Sequence, residues 1–175
     1  MTVGGIGRLE TVQYGNGQFA GTLAPGGDGI LLPEIGTFTL GSENANRSGI
    51  DFLSGSTMAF DIGSGGVGDN DKVEIDFHNV PSLDIESGVT LALFGSTIQD
   101  GTYTLIEDIG TSANIEGTFD FITFNGVDVS SDGRFLVNYG VNDISVTLVS
   151  IPELSSFALF LGALSACVLF LRRRR

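Results

Sequence analysis

The sequence predicts an all-β body, because apolar and polar residues alternate over short stretches that glycine, asparagine, aspartate and serine separate. The chain has 26 glycines among its 175 residues, and no stretch before Pro152 has the 3.6-residue periodicity of an amphipathic helix. The clearest strand contains Val73, Ile75 and Phe77, which alternate with charged residues. Sandwiches and solenoids both stack short, half-buried strands, so this pattern alone leaves both architectures open.

The other predicted strands lie on both sides of this one. Alternation with a period of two also marks three apolar triplets, which are Met58, Phe60 and Ile62, then Phe135, Val137 and Tyr139, and then Ile144, Val146 and Leu148. Five further stretches are rich in threonine, valine, isoleucine and phenylalanine and are also predicted to be strands, namely residues 37–40, 83–86, 89–94, 102–107 and 119–124.

Residues 151–175 differ in composition from this body and form a separate tail. Residues 154–171 carry no charge, and their only polar side chains are serines. A helix over this range would be about 27 Å long, close to the roughly 30 Å hydrocarbon core of a bilayer. The chain then ends in four cations, Arg172, Arg173, Arg174 and Arg175. Since basic residues stay on the cytoplasmic side, the sequence predicts a transmembrane helix that places residues 1–150 outside.

The tail resembles the PEP-CTERM sorting domain, a bacterial signal that combines a Pro-Glu-Pro motif, a transmembrane helix and an arginine-rich end. Pro152 and Glu153 match the first two motif positions, whereas Leu154 stands where the family has proline. Residues 157–171 match the helix. The resemblance implies an exosortase-type processing enzyme as partner, sorting at the inner membrane, and a body that ends at the cell surface or in the extracellular matrix.

An exported protein also needs a leader at its N-terminus. Residues 1–21 have no apolar core of a signal peptide and a single cation, Arg8. We therefore expect that the start of the protein lies upstream of Met1 and that residues 1–150 are the C-terminal portion of a longer body. A stop codon directly before Met1, with no in-frame start farther back, would contradict this expectation.

A second resemblance concerns the body. The segments that carry it are Gly21-Thr22-Leu23-Ala24-Pro25-Gly26-Gly27 and Gly101-Thr102-Tyr103-Thr104-Leu105-Ile106. They resemble autotransporter-associated β-strand repeat proteins, in which a Leu-Ala-Pro-Gly turn precedes Thr-Leu strands. The resemblance favours the end of a right-handed parallel β-helix, with a β-sandwich as the alternative. A solenoid needs its last edge covered, and residues 133–149 could fold back as an antiparallel cap.

Charge and cysteine content exclude several functions. The chain has 21 acidic and eight basic residues, and four of the basic residues are the terminal arginines. Nucleic acid is therefore excluded as a partner, because phosphate binding needs a basic face. The only cysteine, Cys167, lies in the tail, so an intramolecular disulfide and a cysteine metal site are excluded as well. Excess negative charge is typical of a body that stays soluble after export.

No residue stands out as catalytic, and no cofactor is expected. His78, the only histidine, follows a predicted strand at a turn position. Residues 63–68 satisfy G-x-G-x-x-G, but a strand follows where a dinucleotide site requires a helix. Asp69 and Asp71 could offer oxygen ligands to Ca²⁺, although the nonapeptide repeat of calcium-binding β-rolls is absent. Turn formation is the favoured explanation of these two aspartates, because asparagine and aspartate tolerate left-handed backbone conformations.

The sequence thus predicts a non-enzymatic exported surface or matrix protein that associates with exopolysaccharide. A polysaccharide-acting enzyme is one alternative, since two carboxylates at a suitable separation on one face would suffice for glycosidic cleavage. A calcium-stabilised adhesion module is the other.

Overall fold

A computed structural model describes residues 2–5, 7–10, 17–26, 35–41, 49–63, 69–76, 83–96, 99–110 and 114–149. These residues form β-strands and no helix, so none of them belongs to a helix that could cross a membrane. The all-β prediction is confirmed. The strands are β1 (Thr2–Gly5), β2 (Gly7–Glu10), β3 (Gly17–Phe19), β4 (Thr22–Pro25), β5 (Thr37–Gly41), β6 (Ile50–Phe52), β7 (Thr57–Asp61), β8 (Lys72–Asp76), β9 (Leu83–Ile85), β10 (Thr90–Phe94), β11 (Gly101–Asp108), β12 (Ile115–Gly117), β13 (Phe121–Phe124), β14 (Val127–Asp128), β15 (Phe135–Tyr139) and β16 (Asp143–Leu148).

The strands form three sheets, and the chain visits the sheets in rotation. The first sheet has the order β1-β4-β7-β10-β13-β14, the second β15-β16-β11-β8-β5-β2, and the third β12-β9-β6-β3. Each strand from β1 to β10 pairs in parallel with the strand three positions later. We call one passage through the three sheets a circuit. Residues one circuit apart are therefore direct neighbours across a sheet.

The turns that lead from the third sheet to the first recur once per circuit. Ser54-Gly55-Ser56-Thr57 and Ser87-Gly88-Val89-Thr90 occupy the same turn of successive circuits. Gly55 and Gly88 have φ values of 82° and 88°, a left-handed conformation that glycine adopts without steric cost. The Gly55 amide donates to the Gly88 carbonyl at 3.0 Å, and the Ser87 hydroxyl donates to Asp120 of the next circuit, 33 residues later. The turns thus stack on one another as the strands do.

The pairing changes direction at the C-terminal end of the described chain. β13 and β14 form an antiparallel hairpin whose two-residue loop is Asn125-Gly126, with φ values of 49° and 78°. Positive φ at both positions is typical of the tight turn that Asn-Gly favours. In the second sheet β16 pairs antiparallel with both β11 and β15. The first and second sheets therefore end in antiparallel strands, whereas the third ends in the parallel strand β12.

The hydrophobic core lies between the three sheets and receives side chains from every circuit. Phe19 and Phe52, which pair across the third sheet, stack with ring centroids 4.9 Å apart. Tyr103 is fully buried, and its hydroxyl donates to the Gln99 carbonyl at 3.1 Å. Near the C-terminal end the rings of Phe124 on β13 and Phe135 on β15 connect the first and second sheets, with centroids 5.3 Å apart. Burial of such side chains contributes roughly 1.5–3 kcal/mol each.

The strands that alternation predicts are present. Val73 and Ile75 are buried, and the residues that alternate with them, Lys72, Glu74 and Asp76, lie on the outer face. Phe77 lies outside the described residues. Ile144, Val146 and Leu148 are likewise buried on β16. The five stretches predicted from composition correspond to β5, β9, β10, β11 and β13, with ends shifted by a few residues.

Two expectations about the strands differ from the structure. Residues 23–26 were expected to form a turn, but Leu23, Ala24 and Pro25 belong to β4, and only Gly26 bends the chain, with φ of 76°. Pro25 fits a strand because the pairing of β4 with β7 ends at Leu23, and on the β1 side the Gly26 amide donates to the Gly5 carbonyl. On β15 only Phe135 of the expected apolar face is buried, since Tyr139 is 39% exposed at the sheet edge.

Candidate functional site

The residues predicted to act in sorting lie outside the described part of the chain. This holds for the motif residues Pro152, Glu153 and Leu154, for the helix over 154–171, for the terminal arginines and also for His78. Of the predicted site residues, the structure places only the two calcium candidates, Asp69 and Asp71. They flank Asn70, which forms an antiparallel bridge with Ile62.

Asp71 is buried and links neighbouring strands through its carboxyl group, and we call this arrangement the Asp71 clamp. Its side chain is almost fully enclosed, at 1% exposed. One carboxyl oxygen accepts the Gly36 amide at 2.8 Å and the other accepts the Asp61 amide at 2.9 Å. The Asp71 amide in turn donates to the Asp61 carbonyl at 2.8 Å. The carboxyl therefore joins the end of β7, the start of β8 and the residue before β5. Asp69 takes part in the loop through its backbone carbonyl, which accepts the Gly63 amide at 3.0 Å.

Burial makes this carboxyl easy to protonate. Loss of hydration raises the pKa of Asp71 from 3.8 to about 7, and the nearby Asp61 carboxylate adds to the increase. The two backbone amides act in the opposite direction, but burial outweighs them. Asp71 thus changes its charge near neutral pH while holding three segments together, so we expect it to couple stability to pH.

A polar groove lies on the outer face of the second sheet. Its volume is about 390 Å³, and we call it the Lys72 groove. At its centre the Lys72 ammonium lies 2.9 Å from the Glu107 carboxylate and 3.2 Å from the Glu74 carboxylate. The hydrogen bond that the Lys72 ammonium donates to Glu107 is the main reason that the pKa of Lys72 is raised, so the ammonium stays charged. The groove is lined by Thr37, Asn70, Lys72, Thr102, Thr104 and Glu107.

Hydrogen bonds hold the walls of the groove in place. The Asn70 side-chain amide donates to the backbone carbonyls of Thr104 at 2.7 Å and Asp71 at 2.6 Å, which joins the loop before β8 to β11. On the other side the Thr102 hydroxyl lies 3.0 Å from that of Thr147, which also accepts the Asn138 amide at 3.1 Å. Three adjacent strands thereby fix the positions of hydroxyl groups beside the groove.

The outer face of the third sheet carries a column of acids. Asp51, Asp84 and Glu116 pair directly across β6, β9 and β12, and we call them the acid ladder. Burial raises the pKa of Asp84, and the charges of Asp51, Glu116 and Glu86 raise it further. Like charges directly opposite one another in a sheet are destabilising. The acid ladder therefore reduces the stability of the fold at neutral pH.

We expect Asp84→Asn to stabilise the protein at pH 7 by roughly 0.5–1 kcal/mol at low salt, because it removes repulsion with two neighbours. Salt should reduce this gain, since it screens exposed charges. Urea unfolding at low and high ionic strength measures both effects. Asp128→Asn serves as the control: hydrogen bonds from Ser130 lower the pKa of Asp128, so its loss should not stabilise the fold. An unchanged or lower stability of Asp84→Asn would contradict repulsion in the ladder.

Comparisons with known proteins find no counterpart: no protein-family model, no curated protein and no solved structure matches this chain. In the described residues, no group of three or more histidine, cysteine, aspartate or glutamate side chains is arranged to hold a metal ion. The arguments about function below therefore rest on the sequence of the tail and on the surfaces of the body.

Sequence reasoning did not find the Lys72 groove or the acid ladder. Their residues come from successive circuits and lie more than thirty residues apart, as the 35-residue separation of Lys72 and Glu107 illustrates. The available signal was the repeated Ser-Gly-x-Thr at 54–57 and 87–90, which sets the circuit length. Aligning the chain on that repeat places Asp51 beside Asp84 and Glu74 beside Glu107.

Proposed function

We propose that this chain is a non-enzymatic surface or matrix protein of a bacterium, exported and sorted through its C-terminal tail. The observation that carries the proposal is the combination of Pro152-Glu153, an uncharged membrane-length segment and a terminal arginine cluster. An exosortase-type enzyme at the inner membrane would process the tail. The acidic body would then reach the cell surface or the extracellular matrix and associate there with exopolysaccharide.

For the body, we propose a parallel β-helix whose C-terminal end is covered by antiparallel strands. The rotation of the chain through three sheets, with parallel partners three strands apart, supports this architecture. Sandwiches instead pack two mainly antiparallel sheets face to face. The antiparallel strands β14, β15 and β16 are in the right place to protect the last parallel edges of two sheets. A crystal structure with two packed sheets would contradict the β-helix.

The tail predicts a specific result when its charge is removed. Replacing Arg172, Arg173, Arg174 and Arg175 by glutamine should abolish the orientation signal, because the positive-inside bias depends on these cations. We expect less body to be accessible to protease added outside spheroplasts and less processed protein on a gel. The matched control replaces the four arginines by lysines, which keep the charge and should keep the orientation. Normal export and processing of the glutamine variant would contradict the sorting role.

The position that departs from the motif offers a second test of the same role. Leu154→Pro restores Pro-Glu-Pro and should increase the processed fraction in a host that has an exosortase. If the fraction does not change, Pro152 and Glu153 are sufficient for recognition. Loss of processing in Leu154→Pro would contradict the assignment of the motif.

The two alternatives have separate tests. A polysaccharide-acting enzyme draws support from Glu74 and Glu107, two carboxylates close together on the second sheet, although Lys72 binds both. Incubation of the chain with neutral and acidic polysaccharides should yield new chain ends if it is an enzyme and none if it is not. A calcium-stabilised module should unfold at a higher temperature with calcium than with chelator, and an equal midpoint would exclude it.

A further inference from the structure

We infer that the Lys72 groove binds uncharged, hydroxyl-rich ligands, and specifically the sugar units of a neutral polysaccharide. The inference rests on the proposed function in one respect, because a surface or matrix protein is in contact with exopolysaccharide. It names the part of the body that makes this contact and the chemical class of the glycan.

The size of the groove suits a small part of a sugar chain. Its volume of about 390 Å³ lies at the lower end of the range of roughly 300–1,000 Å³ that is typical of ligand pockets. The groove runs across the paired strands β5, β8 and β11, and Asn70, just before β8, is held to β11 by its hydrogen bond to Thr104. A ligand that binds there meets groups that are already in place, which lowers the entropic cost of binding.

The lining is mainly polar and offers hydrogen bonds. Thr37, Thr102 and Thr104 contribute hydroxyl groups, each of which can donate one hydrogen bond and accept others. Sugar hydroxyls have the same double capacity, so they match this lining better than groups that only donate or only accept. The Lys72 ammonium and the Glu107 carboxylate add one strong donor and one strong acceptor at the centre.

The charges in the groove select against anionic ligands. Phosphates, sulfates and uronates would approach Lys72, but that ammonium already pairs with the carboxylates of Glu107 and Glu74. The surrounding body is strongly acidic, which repels anions further. A neutral polyol avoids the repulsion that an anion meets, and this is why we assign an uncharged glycan and not an anionic one.

Titration of the purified full-length chain with oligosaccharides tests the inference. The chain is kept in a detergent that has no sugar headgroup, since a glycoside detergent would compete. The probes are cellotetraose, maltotetraose and chitotetraose as neutral sugars and tetragalacturonate as the anionic counterpart. We expect saturable binding of at least one neutral probe and binding of tetragalacturonate that is at least about tenfold weaker.

Valine variants locate the binding site. Thr37→Val and Thr104→Val together remove two hydroxyls from the groove with almost no change of shape, and they should weaken binding about tenfold. Thr90→Val is the matched control, because Thr90 lies on β10 in the first sheet. The affinity of this variant for the neutral probe should equal that of the unmodified chain. Circular dichroism with urea unfolding checks that all variants remain folded.

Three results would overturn the inference: no saturable binding of any neutral probe, equal affinity for tetragalacturonate, or undiminished binding by the double valine variant. None of these results touches the sorting proposal, which the arginine variants test by localisation alone. Conversely, a body that fails to reach the outside can still bind sugar in the titration. The two proposals can therefore fail separately.

Discussion

Replacing Asp71 by asparagine is expected to remove most of the dependence of stability on pH between about 5 and 8. In the folded protein the pKa of Asp71 is about 7, whereas an unfolded chain leaves it near 3.8. Between these values the folded state binds the proton and the unfolded state does not. The contribution of Asp71 to stability is therefore fully present below about pH 4 and is lost as the pH rises through 7, by about 4 kcal/mol in total.

Asparagine cannot ionise, so in the variant this residue does not contribute to the slope of the free energy of unfolding against pH. Its amide oxygen can accept one of the two backbone amides, while its NH₂ group faces the other, which should cost about 1–3 kcal/mol. Urea unfolding from pH 5 to pH 8 measures the difference between the two proteins. From pH 5 to pH 8, the free energy of unfolding of the unmodified protein should fall by roughly 2–3 kcal/mol relative to that of Asp71→Asn.

Two further variants make the test specific. Asp71→Ala leaves the amides of Gly36 and Asp61 without the Asp71 oxygens, so at pH 5 it should be destabilised more than the asparagine variant. Asp69→Asn changes an aspartate two residues away in the same loop and should retain the slope. A slope that persists in Asp71→Asn, or that disappears in Asp69→Asn, would contradict the role of Asp71.

Phe52→Ala is expected to destabilise the protein by about 3–5 kcal/mol, the usual cost of removing a buried phenylalanine. Phe52 is completely buried and contacts the ring of Phe19, one circuit earlier, at 4.9 Å. It also pairs with Ile85, one circuit later. The substitution therefore removes packing between three successive circuits and leaves a cavity at their centre.

Phe121→Ala is the matched control for this experiment, because Phe121 is 53% exposed at the start of β13. The same change of side chain should there cost no more than about 1 kcal/mol. The urea midpoint of Phe52→Ala should fall while the slope of the transition stays constant. Equal effects of the two substitutions would contradict the position of Phe52 in the core.

The strands that could be predicted were those with enough residues to show alternation. Val73 and Ile75 on β8, and Ile144, Val146 and Leu148 on β16, are apolar at every second position because one face of each strand is buried. The third sheet was harder to predict. Its strands β3, β6, β9 and β12 have three residues each, which is too short for a period of two to be distinguished from chance, and only β9 was predicted, from its composition.

Some of the candidate functional residues could likewise be predicted from local sequence, and others could not. The tail motif can be read locally, because its parts are contiguous in the chain. Asp69 and Asp71 look alike in the sequence, yet only Asp71 is buried between Gly36 and Asp61. The distinction depends on strands that the chain brings together from distant positions, and no local pattern contains it.

The sequence by itself determined that the body is all-β and acidic and that the tail has the composition of a membrane-sorting signal. These properties follow from residue type and short-range periodicity, which are local. Only the tertiary structure decided which side chains meet: the Lys72 groove, the acid ladder and the Asp71 clamp all join residues of different circuits. The physical reason is that hydrogen bonding between parallel strands sets the register, and the register places residues about 33 positions apart side by side.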